Sequence, residues 1–175
     1  MLKKILATVG FLMLSFALLI AMQPSEFKIT RSLEINAPAE KIFNQVNILK
    51  NWDTWSPWAK LDPKASMTFS GPESGVGASF SWAGNDQVGE GSITITESIP
   101  NQKMIYSLVF TQPFTATNNA EFIMTPSGSG TKVTWSMSGN NNFMAKAFSL
   151  FFDCEKIIGP QFEVGLKNLK AVSVS

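Results

Sequence analysis

Five segments of the chain carry apolar side chains at every second residue. They are Val76, Ala78, Phe80 and Trp82; Ile93 and Ile95; Met104, Tyr106, Leu108 and Phe110; Ala120, Phe122 and Met124; and Val133, Trp135 and Met137. A period of two marks a strand with one buried face, because successive side chains point to opposite sides of the pleat. Gly, Pro, Asn and Asp fall between the segments, so the pattern predicts an antiparallel sheet joined by hairpins. Phe27 to Asn36 alternates in the same way through Phe27, Ile29, Arg31, Leu33 and Ile35, with Arg31 expected at the rim of that face.

Helical signals flank this block. Pro38 at a first helical position and Glu40 in the first turn predict a short helix over Ala39 to Val46. Trp52, Trp55 and Trp58 recur at i, i+3 and i+6, along one side of a helix that Pro57 disrupts near its end. From Phe143 to about Ala171 the pattern predicts a helix of roughly 43 Å, kinked at Gly159-Pro160. After the kink Phe162, Leu166 and Leu169 share one side while Glu163, Lys167 and Lys170 take the other. Before it FMAKAFSLFF is apolar nearly all round, and such a segment must be enclosed, face a ligand cavity or touch lipid. The chain is therefore expected to be α+β.

Ile5 to Met22 form a run of eighteen residues without charge. As a helix it spans roughly 27 Å, close to the hydrocarbon thickness of a bilayer. A cleaved signal needs small residues at both recognition positions, and Leu19-Ile20-Ala21 offers a large one first. The run is read as a retained single-pass anchor. Lys3 and Lys4 precede it, which puts the N-terminus in the cytoplasm and the domain on the extracytoplasmic side. The alternative is a secreted or periplasmic domain released by cleavage. Residues 1–25 are thus anchor and linker, and residues 26–175 are one domain.

Composition narrows the chemistry. No histidine and a single cysteine, Cys154, remove Ser-His and Cys-His nucleophiles, His-ligated or multi-Cys metal sites and any intramolecular disulfide. Lys and Arg number 14 against 13 Asp and Glu, with one arginine in the chain, so no basic face for nucleic acid is expected. Glu97, Glu121, Asp153, Glu155 and Glu163 read as solvated carboxylates, and Cys154 as a small core residue. The glycines of Gly71 to Gly77 and Gly89 to Gly91 lack the Lys-Ser/Thr ending of a phosphate loop and read as turns. No catalytic residue, metal ligand or cofactor is assigned, and oligomeric state is left open.

RSLEINAPAEKIFNQV, NWDTWSPW, GVGASFSW and FEVGLKNLK, between Arg31 and Lys170, together resemble the START-like (SRPBCC) superfamily, in particular its polyketide cyclase/dehydrase and lipid-transport branch. The pairing of I-x-A-P-A-E-x-I-F with W-x-x-W-S-P-W is the most specific part. The resemblance implies a helix-grip fold, a curved antiparallel sheet wrapped around the long C-terminal helix, with an apolar cavity between them. On that fold the concave wall is expected to be Phe80, Trp82, Ile93, Met104, Tyr106, Phe122, Met124, Trp135 and Met137, with Phe148 and Phe152 from the helix and Trp52, Trp55 and Trp58 near the mouth. The expected partner is a hydrophobic small molecule or lipid, bound without turnover, with the membrane reached through residues 5–22. Two further readings stand beside it: a cyclase or dehydrase-like enzyme in which Tyr106 or a carboxylate assists, and a protein-interaction module using the FMAKAFSLFF face.

Overall fold

A computed structural model describes residues 1–175. The elements in chain order are α1 (Leu2–Ala21), β1 (Glu26–Ile35), α2 (Ala39–Asn47), a 3-10 turn (Leu49–Asn51), α3 (Trp52–Trp55), α4 (Trp58–Leu61), β2 (Ser66–Ser70), β3 (Ser79–Ala83), β4 (Glu90–Ile99), β5 (Lys103–Gln112), β6 (Ala116–Ser127), β7 (Gly130–Asn140), α5 (Phe143–Ser149) and α6 (Cys154–Val174). The seven strands make one antiparallel sheet in the order β1-β7-β6-β5-β4-β3-β2. Consecutive strands pair through hairpins, and β1 closes on the far side of β7. The sheet curves around α6, which packs chiefly on β1 and touches α2 and α3. This is a helix-grip fold.

The inner face follows the alternation read from the sequence. Register places Ile29 opposite Met137, Arg31 opposite Trp135 and Leu33 opposite Val133, and Phe122 opposite Trp135 on the next pair. One core of 24 buried residues, from Ile29 to Leu169, joins this face to Ile42, Phe43 and Val46 of α2, to Trp52 and Trp55, and to Phe162, Leu166 and Leu169 of α6. No α1 residue belongs to it, and the only buried residue in α1 is Ile20. Every element of the grip lies in residues 26–175, so this part carries its whole core. The helix α1 is long and apolar enough to cross a membrane.

Four expectations are corrected. A seventh strand, Ser66–Ser70, was not foreseen, because all five of its residues are exposed and it shows no buried parity. Val76 does not share the face of Phe80 and Trp82; it lies in the loop before β3 and is exposed. The C-terminal helix is not continuous with a kink at Gly159-Pro160. The chain breaks at Leu150–Asp153, where the Asp153 carboxylate caps α6 by accepting the N–H groups of Glu155 and Lys156. Pro160 sits inside α6. A proline interrupts one helical hydrogen bond, and a capped start with an acidic first turn nucleates the helix better than the apolar Leu150–Phe152 stretch. The tryptophan segment likewise forms two separate turns, α3 and α4, parted by Ser56 and Pro57.

Candidate functional site

The inner face divides into a filled half and a half whose side chains, Trp82, Leu108 and Phe110, are only half-buried and so partly open to the outside. In the filled half Trp52 and Trp55 descend from α3 onto the sheet. The carbonyls at the end of α2 have no partners within their helix, and the indoles supply them: Trp55 Nε1 donates to Gln45 at 3.2 Å and Trp52 Nε1 to Val46 at 3.1 Å. Tyr106 Oη donates to the same Val46 carbonyl at 2.9 Å. Trp135 lies flat against Phe162 (centroids 4.0 Å, 4°) and nearly so against Phe122 (4.8 Å, 23°). Its indole N–H and Ser173 Oγ are the two fully buried side-chain polar atoms without a partner.

Of the residues named from the sequence, Trp52, Trp55, Phe80, Ile93, Met104, Tyr106, Phe122, Met124, Trp135 and Met137 belong to the buried core, and Trp58 and Trp82 pack half-buried against it. Phe148 and Phe152 lie outside it, 37% and 48% exposed, stacked on each other at 4.3 Å. Tyr106 is the only tyrosine, and burial holds its phenol well above the ordinary tyrosine range. Its neutral form is the one the fold accommodates, so this contribution to stability is present below about pH 10 and is lost as pH rises further. In an alkaline titration of residues 26–175 the 295 nm tyrosinate signal is therefore expected only as the fold is lost, together with the far-UV circular dichroism change. A separate tyrosinate step in the folded domain would contradict this packing.

The partly open half lies where β3 and β5 end and β4 begins. Trp82, Gly91 and Phe110 are neighbours across three strands. A Cβ on Gly91 would meet the Trp82 ring at 2.7 Å, so glycine lets the indole lie across β4 and meet Phe110 edge-on at 5.7 Å. Trp82 Nε1 is satisfied by Val88. Leu108 and Phe110 are half-buried. In the turn after β5, Phe114 meets Phe148 of α5 at 6.0 Å. Asn118, a buried amide at the start of β6, lies against Gly139 across the β6–β7 pair. A concavity of about 200 Å³ lies at the β2 edge of the sheet beside Leu49, Lys50 and Phe69, and another of about 410 Å³ runs along Glu26, Lys28, Asn119 and Ser138, which have the outward parity of β1, β6 and β7.

Charge is kept at the edge. Arg31 reaches under α6, its Nη1 bonding Glu155 Oε1 at 2.6 Å and its Nε bonding Glu163 Oε1 at 2.8 Å. Hydrogen bonds to Glu155 and then Glu163 raise the guanidinium pKa above its ordinary value. Gly159 lies between the two carboxylates, and its missing side chain leaves room for the guanidinium. Glu155 and Glu163 are thus ion-pair partners, not free solvated carboxylates. The sequence held a signal for this: positions 155, 159 and 163 are spaced by four, on one helix side, and Arg31 has inward parity. Asp153 is held below the ordinary carboxylate range, first by its hydrogen bond with the Lys156 side chain. Cys154 is half-buried, and burial followed by the charge of Asp153 pushes its thiol up. Less thiolate forms at neutral pH as a result.

A curved sheet gripping a helix, with an aromatic and methionine-rich inner face, defines a helix-grip domain. Residues 26–174 match the family model described as "Polyketide cyclase / dehydrase and lipid transport", and the chain belongs to that family. No curated protein matches it. Solved structures share the fold. The protein of the Aha1 dimer from Colwellia psychrerythraea is 19% identical, with 85% of this chain and 97% of that one covered and a TM-score of 0.61. Mll3558 from Rhizobium loti is 17% identical, with coverages of 84% and 96% and a TM-score of 0.63. The di-domain ARO/CYC StfQ from the steffimycin biosynthetic pathway is 10% identical, with 86% of this chain and 51% of that one covered and a TM-score of 0.62.

Proposed function

We propose that the domain binds a hydrophobic small molecule or lipid between the sheet and the C-terminal helices without turning it over. Residues 5–22 hold it to a membrane, with the N-terminus cytoplasmic and the domain extracytoplasmic. The observation that carries this reading is the partly open half of the grip, where the apolar side chains of Trp82, Leu108 and Phe110 are only half-buried and the turn after β5 meets part-exposed Phe148 of α5 through Phe114. Apolar lining with few polar groups suits recognition of a hydrophobic ligand. The filled half is the wall against which such a ligand would end. Asn118, buried and opposite Leu108 in the β5–β6 register, is a polar side chain that could orient an oxygen-bearing end.

A cyclase or dehydrase-like activity is a second reading, favoured by the likeness to StfQ. It would require a proton donor or acceptor on the inner face. Tyr106, the candidate named from the sequence, has its hydroxyl committed to Val46 and its ionisation suppressed by burial. Native mass spectrometry of residues 26–175, purified without detergent and then offered fatty acids, phospholipids and isoprenoids, tests the binding reading. A stoichiometric apolar adduct is expected, reduced when Phe110 and Phe148 are replaced by serine. A clean apo mass with no uptake from any of the three classes would overturn it.

A further inference from the structure

Ligand binding leaves one surface unexplained. Phe143, Met144, Phe151 and Ile157, with Phe114 at the β5–β6 turn, are each more than half exposed. Grouped around one short segment, they exceed the scattered apolar exposure ordinary for a soluble domain. The only charged residue of α5 is Lys146. Its Nζ lies 2.9 Å from Ser25 Oγ and 3.4 Å from the carbonyl of Ala21, the last residue of α1. A cation there complements the unpaired carbonyls and negative dipole end of α1, and α5 packs against that helix. The exposed aromatic group therefore sits at the level where the apolar helix ends.

We propose that α5, the Leu150–Phe152 turn and the Phe114 tip rest in the interfacial layer of the bilayer that α1 crosses. The inference rests on the reading of α1 as an anchor. Lipid is favoured over a second copy or another protein because the patch continues from the end of a helix that carries no charge from Ile5 onward and whose large apolar side chains, Ile20 apart, are exposed. An apolar segment with one lysine directed to the interface is suited to that depth. Phe148 and Phe152 would then face lipid, and the partly open half would communicate with the membrane and not with water.

The test uses the full chain in phosphatidylcholine vesicles containing nitroxide-labelled phosphatidylcholine. Single cysteines in a Cys154→Ser background carry an environment-sensitive fluorophore at Leu12→Cys in α1, at Phe151→Cys in the patch, or at Ser129→Cys in the β6–β7 turn at the opposite end of β6. Circular dichroism confirms that each variant is folded. Strong quenching at 12, and quenching at 151 several-fold greater than at 129, is the expected result. Quenching at 12 without quenching at 151 would overturn the docking and leave the anchor standing. If emission at 151 were also blue-shifted in that case, protein and not lipid would cover the face. Equal quenching at 151 and 129 would overturn a preferred docking face, and an unquenched label at 12 would overturn both readings together.

Discussion

Replacing Trp135 with alanine is expected to lower the stability of the domain by about 3–5 kcal/mol, the range for deleting a large aromatic from a close-packed core. The residue is 2% exposed and is the middle ring of a stack that ties β6 to α6 through Phe122 and Phe162. Trp55 and Trp58 both meet it edge-on. Truncation would leave four rings around a void that the rigid sheet cannot close. Trp135→Phe separates packing from polarity. It keeps a ring in the stack and removes an indole N–H that has no partner, a group whose burial is itself unfavourable. Phenylalanine is therefore expected to cost well under half of what alanine costs. Urea unfolding of residues 26–175 followed by circular dichroism measures both, and equal losses would show that the stack contributes nothing.

Gly165→Leu is expected to destabilise by at least the about 1–3 kcal/mol of an overpacked core. Leucine is a good helix former and glycine a poor one, so on helix propensity alone the exchange would stabilise α6. Packing reverses the sign. A Cβ at position 165 would lie 2.6 Å from Trp135 Cζ3 and 3.1 Å from Pro57 Cδ, and neither ring can withdraw, one being stacked on Phe162 and the other fixed in the chain between α3 and α4. The helix would have to lift from the sheet and from the α3 turn, where Asn168 donates to the Trp55 carbonyl. Because residues 135 and 165 touch, their effects should not add. The smaller change Gly165→Ala is expected to cost less in the Trp135→Phe background than in the native one, and additive losses would sink the steric account.

The fold was legible where burial imposes a period. Inner-face parity from Phe80 to Met137 comes from side chains alternating across a pleat that is wet on one side, and Ala39–Asn47 begins where Pro38 and Glu40 indicate. Ser66–Ser70 was not legible because an edge strand exposed on both faces need not alternate. The break at Leu150–Asp153 was concealed by an apolar stretch with no Gly or Pro, while the true start of α6 depended on one capping carboxylate. The apolar character of the site was likewise written in the residue types of the inner strands.

Which of those residues meet one another was not. Tyr106 and Trp52 share the Val46 carbonyl, and Arg31 joins Glu155 and Glu163 across more than a hundred residues of chain. These are contacts between elements distant in sequence, and no local period encodes them. By itself the sequence determined the strand faces, the apolar N-terminal helix and the exclusion of histidine and disulfide chemistry, because each depends on residue type and spacing alone. Only the tertiary structure decided which half of the grip is filled by aromatic rings and which stays partly open, because that depends on how side chains from α2, α3 and α6 divide one shared interior.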